Sequence, residues 1–73
     1  MIKYQLICGF TTENDRLNHS YGIKIVRGRR CIRVIRDISD DKERICRLIR
    51  ELNELSPDPI HIDEIIEDFL CDV

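Results

Sequence analysis

The residues with the greatest potential for chemistry are a histidine and the acidic residues that follow it. His61 precedes Asp63, Glu64, Glu67 and Asp68. Glu64 and Asp68 are four residues apart, so on a helix they would share one face and could present two carboxylates to a cation. Neither a second histidine at helical spacing nor a calcium-loop pattern accompanies them. We therefore predict that His61 helps to start a helix and is not a metal ligand.

Four cysteines are the next candidates for metal or redox chemistry. Cys8, Cys31, Cys46 and Cys71 are separated by 23, 15 and 25 residues, and no Cys-x-x-Cys pair occurs. This is not the spacing of a zinc ribbon or knuckle. A reduced cysteine behaves as a small apolar side chain. We expect buried, reduced thiols, with Cys71 the most exposed of the four, and no metal or other cofactor.

The sequence gives little support to an enzymatic function. Its three glycines are isolated, so no glycine-rich phosphate loop is present. No Ser, His and Asp arrangement occurs in a recognisable context. A domain of 73 residues also has little room for a water-excluding pocket of the usual few hundred Å³. We predict that the protein is not an enzyme and has no small-molecule substrate.

Charge is strongly segregated along the chain. Positions 24–36 contain six bases and no acid, whereas positions 57–73 contain six acids and no Lys or Arg, although the formal net charge is only -2. Nine of the twelve bases are arginines, whose planar guanidinium suits phosphate or carboxylate recognition. The two segments either neutralise each other within the fold or face different partners.

Two periodicities predict the elements that must position these residues. Apolar residues alternate along 2–10, 20–27 and 31–38, as in half-buried strands, and a glycine at position 28 favours a short hairpin turn between the last two. Positions 11–19 are polar and predict a turn. Helical spacing then predicts helices over 40–55 and 61–71, with Ser39 or Asp40 as the first cap and a break at 56–59.

The predicted fold is a single α+β domain over residues 1–73. It has two layers, a three-stranded antiparallel meander and two C-terminal helices on one face, in the order βββαα. The predicted core is listed here: Ile2, Tyr4, Leu6, Tyr21, Ile23, Ile25, Ile32, Val34, Ile45, Leu48, Ile49, Leu52, Ile62, Ile65, Ile66, Phe69 and Leu70.

Helices on one side of a sheet leave its other face open. Continuing the alternation through the turn at position 28 brings apolar and basic residues to this face and to the turn. The candidate interaction surface consists of Ile7, Lys24, Val26, Arg29, Arg30, Arg33 and Ile35. Such a mixture suits a protein partner or a second copy of the chain, as in a homodimer that forms through the open face or through the sheet edge.

The alternative function is nucleic-acid binding by the basic hairpin at positions 24–36, whose arginines could follow phosphates. Tyr4, Phe10 and Tyr21 align with the core side of the predicted strands. We therefore expect no aromatic side chain to stack on bases at the open face. This expectation favours a protein-interaction or regulatory module over a nucleic-acid-binding protein.

Three segments resemble a known family. Tyr21-Gly22-Ile23 opens a strand, Asp37-Ile38-Ser39 leads into a helix, and the segment from His61 to Leu70 reads HIDEIIEDFL. Together they resemble a family of short, uncharacterised bacterial proteins classed as a domain of unknown function. The resemblance covers most of the chain and implies a small cytosolic protein without an established activity. It assigns no catalytic or ligand-binding residue.

The chain also shows no targeting pattern. No stretch approaches the roughly 20 apolar residues of a membrane span. The opening residues MIKYQLICGF lack the length and cleavage site of a signal peptide. We expect a cytoplasmic protein that does not bind membranes.

Overall fold

A computed structural model describes residues 1–71. It contains one antiparallel sheet in the order β1-β2-β3, followed by two helices. The elements are β1 (Ile2–Glu13), β2 (Arg16–Arg27), β3 (Arg30–Ser39), α1 (Lys42–Leu55), a 3₁₀ turn (Pro59–His61) and α2 (Ile62–Cys71). The predicted α+β fold, with its βββαα order, is confirmed.

Isoleucines from three elements form the centre of the core. Ile23 and Ile25 of β2, Ile45 of α1 and Ile62 of α2 are completely buried. Removing each of these side chains from water contributes about 1.5–3 kcal/mol. The other buried apolar residues are Tyr4, Ile38, Leu48, Ile49, Leu52 and Ile66, with Ile2, Leu6, Tyr21, Ile35, Ile65 and Phe69 packed around them.

Three residues predicted for the core are exposed instead. Ile32, Val34 and Leu70 have exposed fractions of 42%, 41% and 52%. Leu70 lies eight residues after the buried Ile62, and on an α-helix this spacing rotates its side chain about 80° around the helix axis from that of Ile62. Ile32 and Val34 are displaced by an irregularity in β3.

A bulge in β3 decides which side of the sheet its residues face. The turn sets a register with Val26 opposite Cys31, but Ile25 lies opposite Arg33. Ile32 is therefore an extra residue. Because strand side chains alternate with a period of two, one insertion moves the following residues of β3 to the opposite faces. Val34 thus lies on the side away from the helices.

A second irregularity in β3 lies opposite Gly22, between the pairs at positions 21 and 23. Here the backbone of β3 passes so close that a Cβ atom on Gly22 would collide with the carbonyl oxygen of Ile35 and lie 3.0 Å from Cα of Arg36. Asp37 in the same segment has a left-handed φ of 59°. The irregularity also brings Ile38 into the core.

The two hairpin turns differ in how well the sequence predicts them. A two-residue turn at Gly28 joins β2 and β3, with a φ of 60° that glycine adopts readily, as predicted. The prediction of a turn over 11–19 is wrong, because β1 and β2 stay paired up to Glu13 and Arg16. Only Asn14 and Asp15 form the turn, both with positive φ, as a type I′ turn requires.

Residues 9–20 therefore form a two-stranded arm that extends beyond β3. The pairing of β2 with β3 ends at Tyr21, and every residue from position 12 to 19 is exposed. Because both faces of the arm meet water, its sequence carries no apolar alternation. Threonines at positions 11 and 12 favour the extended conformation there.

Local hydrogen bonds begin and end the helices. Asp41 caps α1 by accepting from the backbone N–H groups of Glu43 and Arg44, so the predicted caps, Ser39 and Asp40, are wrong by one or two residues. Ser39 Oγ instead accepts from the N–H of Asp41 at 3.0 Å. His61 ends the 3₁₀ turn directly before α2, which confirms its place at the helix start.

The segment between the helices is tied to the sheet by a tyrosine. The hydroxyl of Tyr4 donates to the carbonyl oxygen of Pro57 at 2.9 Å. Burial, and secondarily the nearby Asp58 carboxylate, raises the pKa of Tyr4. This bond connects the start of the sheet to the break between α1 and α2.

The close approach at Gly22 gives a test of the β3 irregularity. Gly22→Ala should destabilise the fold by about 1–3 kcal/mol, since the added methyl group overpacks the backbone of β3. Gly9→Ala is the matched control, because a Cβ atom at Gly9 meets nothing within 4 Å. Urea unfolding followed by circular dichroism measures both. Equal stability of the two variants would contradict the close approach.

Candidate interaction surface

The face of the sheet away from the helices is uncovered in the part of the chain that the structure describes. Directly opposed residues face the same side, and Lys3 pairs with Val26, Gln5 with Lys24, and Lys24 with Val34. Their neighbours Ile23 and Ile25 are buried under the helices. We call this surface the open face. It consists of Lys3, Gln5, Ile7, Lys24, Val26, Cys31 and Val34. Ile32, the extra residue of the bulge, has no directly opposed partner and is exposed next to Cys31.

The open face combines apolar side chains with cations. Ile32 and Val34 expose about two fifths of their surface, and Ile7, Lys24 and Val26 are half-buried between their strand neighbours. Apolar side chains interspersed with lysines, one of them on the central strand, suit a protein surface that carries acidic residues. No reacting group is concentrated there.

Two residues predicted for the open face lie on the helix side of the sheet. Arg33 is opposite Ile25, and Ile35 is opposite Ile23 and packs against the core. The bulge at Ile32 is the cause, because it reverses the alternation that the sequence prediction assumed. Val34 takes their place on the open face, and Ile32 at the bulge is exposed.

Arg33 forms a bidentate ion pair with α2. Its two terminal nitrogens lie 3.0 and 2.6 Å from the carboxylate oxygens of Asp63, a geometry that a guanidinium fork matches well. The hydrogen bonds from Arg33 are the main cause that lowers the pKa of Asp63, and they raise the pKa of Arg33. Both side chains remain partly exposed, at 44% and 67%. The basic and acidic segments of the sequence meet at this pair.

The three arginines at the turn of the hairpin are directed to solvent. Arg27, Arg29 and Arg30 surround Gly28 and are exposed. Within residues 1–71, none of them forms an ion pair. We call these three arginines, with the glycine, the basic turn. It lies at the edge of the open face, next to Val26 and Cys31.

A polar concavity of about 670 Å³ lies between the arm and the end of β3. In it the buried Ser20 donates a hydrogen bond to the carboxylate of Asp37. His19 also lines the concavity, and its ring lies 5.0 Å from that of Phe10. Since Ser20 is held by a carboxylate and not by the imidazole, the concavity contains no activated nucleophile of the Ser–His type.

The cysteines do not form a cluster. All four thiols are free, and Cys8, Cys31 and Cys71 are exposed while Cys46 is intermediate. The prediction of buried thiols is therefore wrong. Cys31 shares the open side with Val26, and Cys8 is exposed on the edge strand β1. Among residues 1–71, no group of three or more His, Cys, Asp or Glu side chains could hold a metal ion.

Comparison with known proteins places the chain in a family. Residues 1–72 match DUF6514, a family of unknown function. The chain belongs to this family. No curated protein and no solved structure matches it. In the described part of the DUF6514 chain, no helix is long and apolar enough to cross a membrane.

Sequence reasoning missed Ile32 and Val34 as surface residues of the DUF6514 chain. The segment from Ile32 to Ile35 carries apolar residues on both alternating faces, so its pattern fits either register. Gly22 could have indicated the second irregularity of β3, since a glycine within a strand often marks a bulge or a close backbone approach, but it does not indicate the bulge at Ile32.

The Arg33 pair gives a pH-dependent prediction. Because the pKa of Asp63 is lower in the folded protein, the pair stabilises the fold above the ordinary carboxyl pKa of about 4, and the effect is lost as pH falls through the lowered value. As the pH is lowered from 7 to 2, the free energy of unfolding should therefore fall more steeply in the wild type than in Asp63→Asn.

Arg33→Gln provides the control for this measurement. In that background the carboxylate has lost its partner, so adding Asp63→Asn should no longer change the acid dependence. If the free energy of unfolding of the wild type and of Asp63→Asn fell equally as the pH is lowered, the result would contradict the ion pair.

Proposed function

We propose that this protein is a non-enzymatic interaction or regulatory module that binds a partner protein through its open face. The observation that supports the proposal is the exposure of Ile32 and Val34 beside half-buried Ile7 and Val26. An uncovered apolar surface on a small domain is a common mark of a protein contact. The partner's surface would be apolar at its centre and acidic at its rim, to complement Lys3, Lys24 and the basic turn.

Other features agree with this function. In the polar concavity the hydroxyl of Ser20 is hydrogen-bonded to Asp37 and not to an imidazole, and we propose no substrate or cofactor. The open face presents Lys24 on its central strand, between Gln5 and Val34, with aliphatic side chains around it. We further propose that the protein acts in the cytoplasm of a bacterium, in keeping with its charge-rich composition.

Val34→Glu tests the open face. A carboxylate at this position would be desolvated in the complex, and we expect partner binding to fall by about tenfold or more, as for hot-spot residues. Tagged wild type and variant are used to capture proteins from lysate of the native organism. The captured partner is then purified, and its affinity for each variant is measured by calorimetry.

Leu55→Glu is the matched control, because Leu55 is 79% exposed at the end of α1 and lies outside the open face. It should bind the partner as the wild type does. Both variants should keep the wild-type circular dichroism spectrum. Equal binding by Val34→Glu and the wild type would rule out the open face as the contact.

Nucleic-acid binding is the second candidate, favoured by the basic turn. Arg27, Arg29 and Arg30 carry no ion pair within residues 1–71, and α2 reaches the hairpin through Asp63, which contacts Arg33. The acidic helix therefore leaves the turn available to phosphates. Against this candidate, no aromatic side chain lies among the residues of the open face.

Fluorescence anisotropy with labelled single-stranded and duplex DNA and RNA tests this candidate. If it holds, affinity should fall steeply with salt, and Arg29→Glu/Arg30→Glu should weaken binding to all sequences alike, since phosphate contacts carry no base information. The charge-matched control is Arg47→Glu/Arg50→Glu on α1. No binding at low salt and tens of micromolar protein, or equal loss in both variants, would count against the basic turn.

A further inference from the structure

The outer edge of β1 is unusually suited to pairing with another strand. β1 pairs with β2 along all 12 residues without a bulge, and it contains no proline. Natural proteins usually shorten, bulge or charge their edge strands to prevent contact with other chains. The opposite edge, β3, has two irregularities. β1 is therefore the regular edge of this sheet.

An asparagine shows which backbone groups of β1 point outward. The side-chain oxygen of Asn53 accepts from the N–H of Tyr4 at 2.9 Å, and its nitrogen donates to the carbonyl of Tyr4 at 3.0 Å. Because backbone groups alternate in direction along a strand, Leu6, Cys8 and Phe10 also direct their N–H and C=O groups to this edge. In the described part of the chain, no side chain occupies them.

We propose that β1 pairs antiparallel with β1 of a second copy about a twofold axis at Cys8. In this register Leu6 lies opposite Phe10 of the second copy, and the two Cys8 residues lie opposite each other. Three hydrogen-bonded residue pairs would form about six inter-chain hydrogen bonds. The ladder ends at Tyr4, where Asn53 already occupies the edge.

Apolar contacts select this register. Phe10 is 62% exposed in the isolated chain, and Leu6 of the second copy would cover it on the helix side of the sheet. An aromatic and an aliphatic side chain in directly opposed positions form a stabilising cross-strand pair. Moving the axis by one residue in either direction places Leu6 opposite Cys8 or Thr12 and leaves Phe10 without this contact.

Charge complementarity selects the same register. With the axis at Cys8, Lys3 of one copy and Glu13 of the other lie just beyond the end of the ladder, where their long side chains can meet on the open side of the sheet and away from α1. The pair occurs twice, once on each side of the axis. With the axis one residue further along, Gln5 would be the partner of Glu13. With the axis one residue back, Thr11 would be the partner of Lys3. Neither of these registers brings the two opposite charges together.

This inference concerns a different surface from the open face, so either proposal can fail alone. Pairing of the edges would join two sheets into one of six strands. The open faces of the two copies would then form one continuous surface on the same side.

Disulfide cross-linking tests the register. In a chain that keeps Cys8 but carries Ala in place of the other three cysteines, the two Cys8 Cα atoms should be about 5.5 Å apart, within the range of a disulfide. Diamide, which oxidises two thiols to a disulfide, should therefore produce a covalent dimer on a non-reducing gel.

The control places the single cysteine elsewhere on the same strand. Thr12→Cys in a chain without other cysteines should stay monomeric under the same treatment, because these two positions would be about 27 Å apart. Val34→Glu added to the Cys8 chain should leave the cross-link unchanged. Equal cross-linking of Cys8 and Thr12→Cys would overturn the register.

Charge reversal gives an independent measurement under reducing conditions. In sedimentation equilibrium, Lys3→Glu should weaken self-association by roughly 2- to 30-fold, since it replaces two cross-strand ion pairs by repulsions. Lys3→Glu/Glu13→Lys should restore the wild-type affinity. A double variant as weak as the single one, or a wild type that stays monomeric at several hundred micromolar, would overturn the proposal.

Discussion

The arrangement of this protein depends on one inserted residue in β3. Ile32 shifts the register so that Arg33 and Ile35 face the helices and Val34 faces outward. Without the insertion, Arg33 could not reach Asp63, and the core would lose Ile35. The open face would then carry an arginine at its centre in place of a valine. The core, the ion pair and the composition of the open face are therefore consequences of the same backbone irregularity.

The segregated charges of the sequence are separated in space as well. The acidic α2 and the basic hairpin lie in different layers, and Arg33 with Asp63 joins them. Because the other hairpin arginines are not neutralised by α2, the small net charge hides a surface with a basic end. Long-range attraction would bring an acidic partner toward that end first, and the apolar open face beside it would then hold the partner.

The sequence was sufficient for the fold because its strongest patterns are local. The apolar stripes of both helices, the break at 56–59 and the turn at Gly28 each follow from nearby residues. The bulge at Ile32 does not, since both faces of β3 carry apolar residues and the sequence pattern fits either register. The arm over 9–20 was missed because a strand exposed on both sides has no alternation to detect. Arg33 and Ile35 were predicted for the open face because the sequence did not indicate the bulge at Ile32.

Asn53 links the completion of the fold to the behaviour of the chain in solution. Its amide takes the position that a neighbouring strand would occupy at Tyr4, and it arrives there only when α1 docks. Before that step, the β1–β2 hairpin offers its whole edge to other chains, including the part beside Tyr4. Aggregation during refolding therefore competes with the docking of α1, and concentration sets the balance between them.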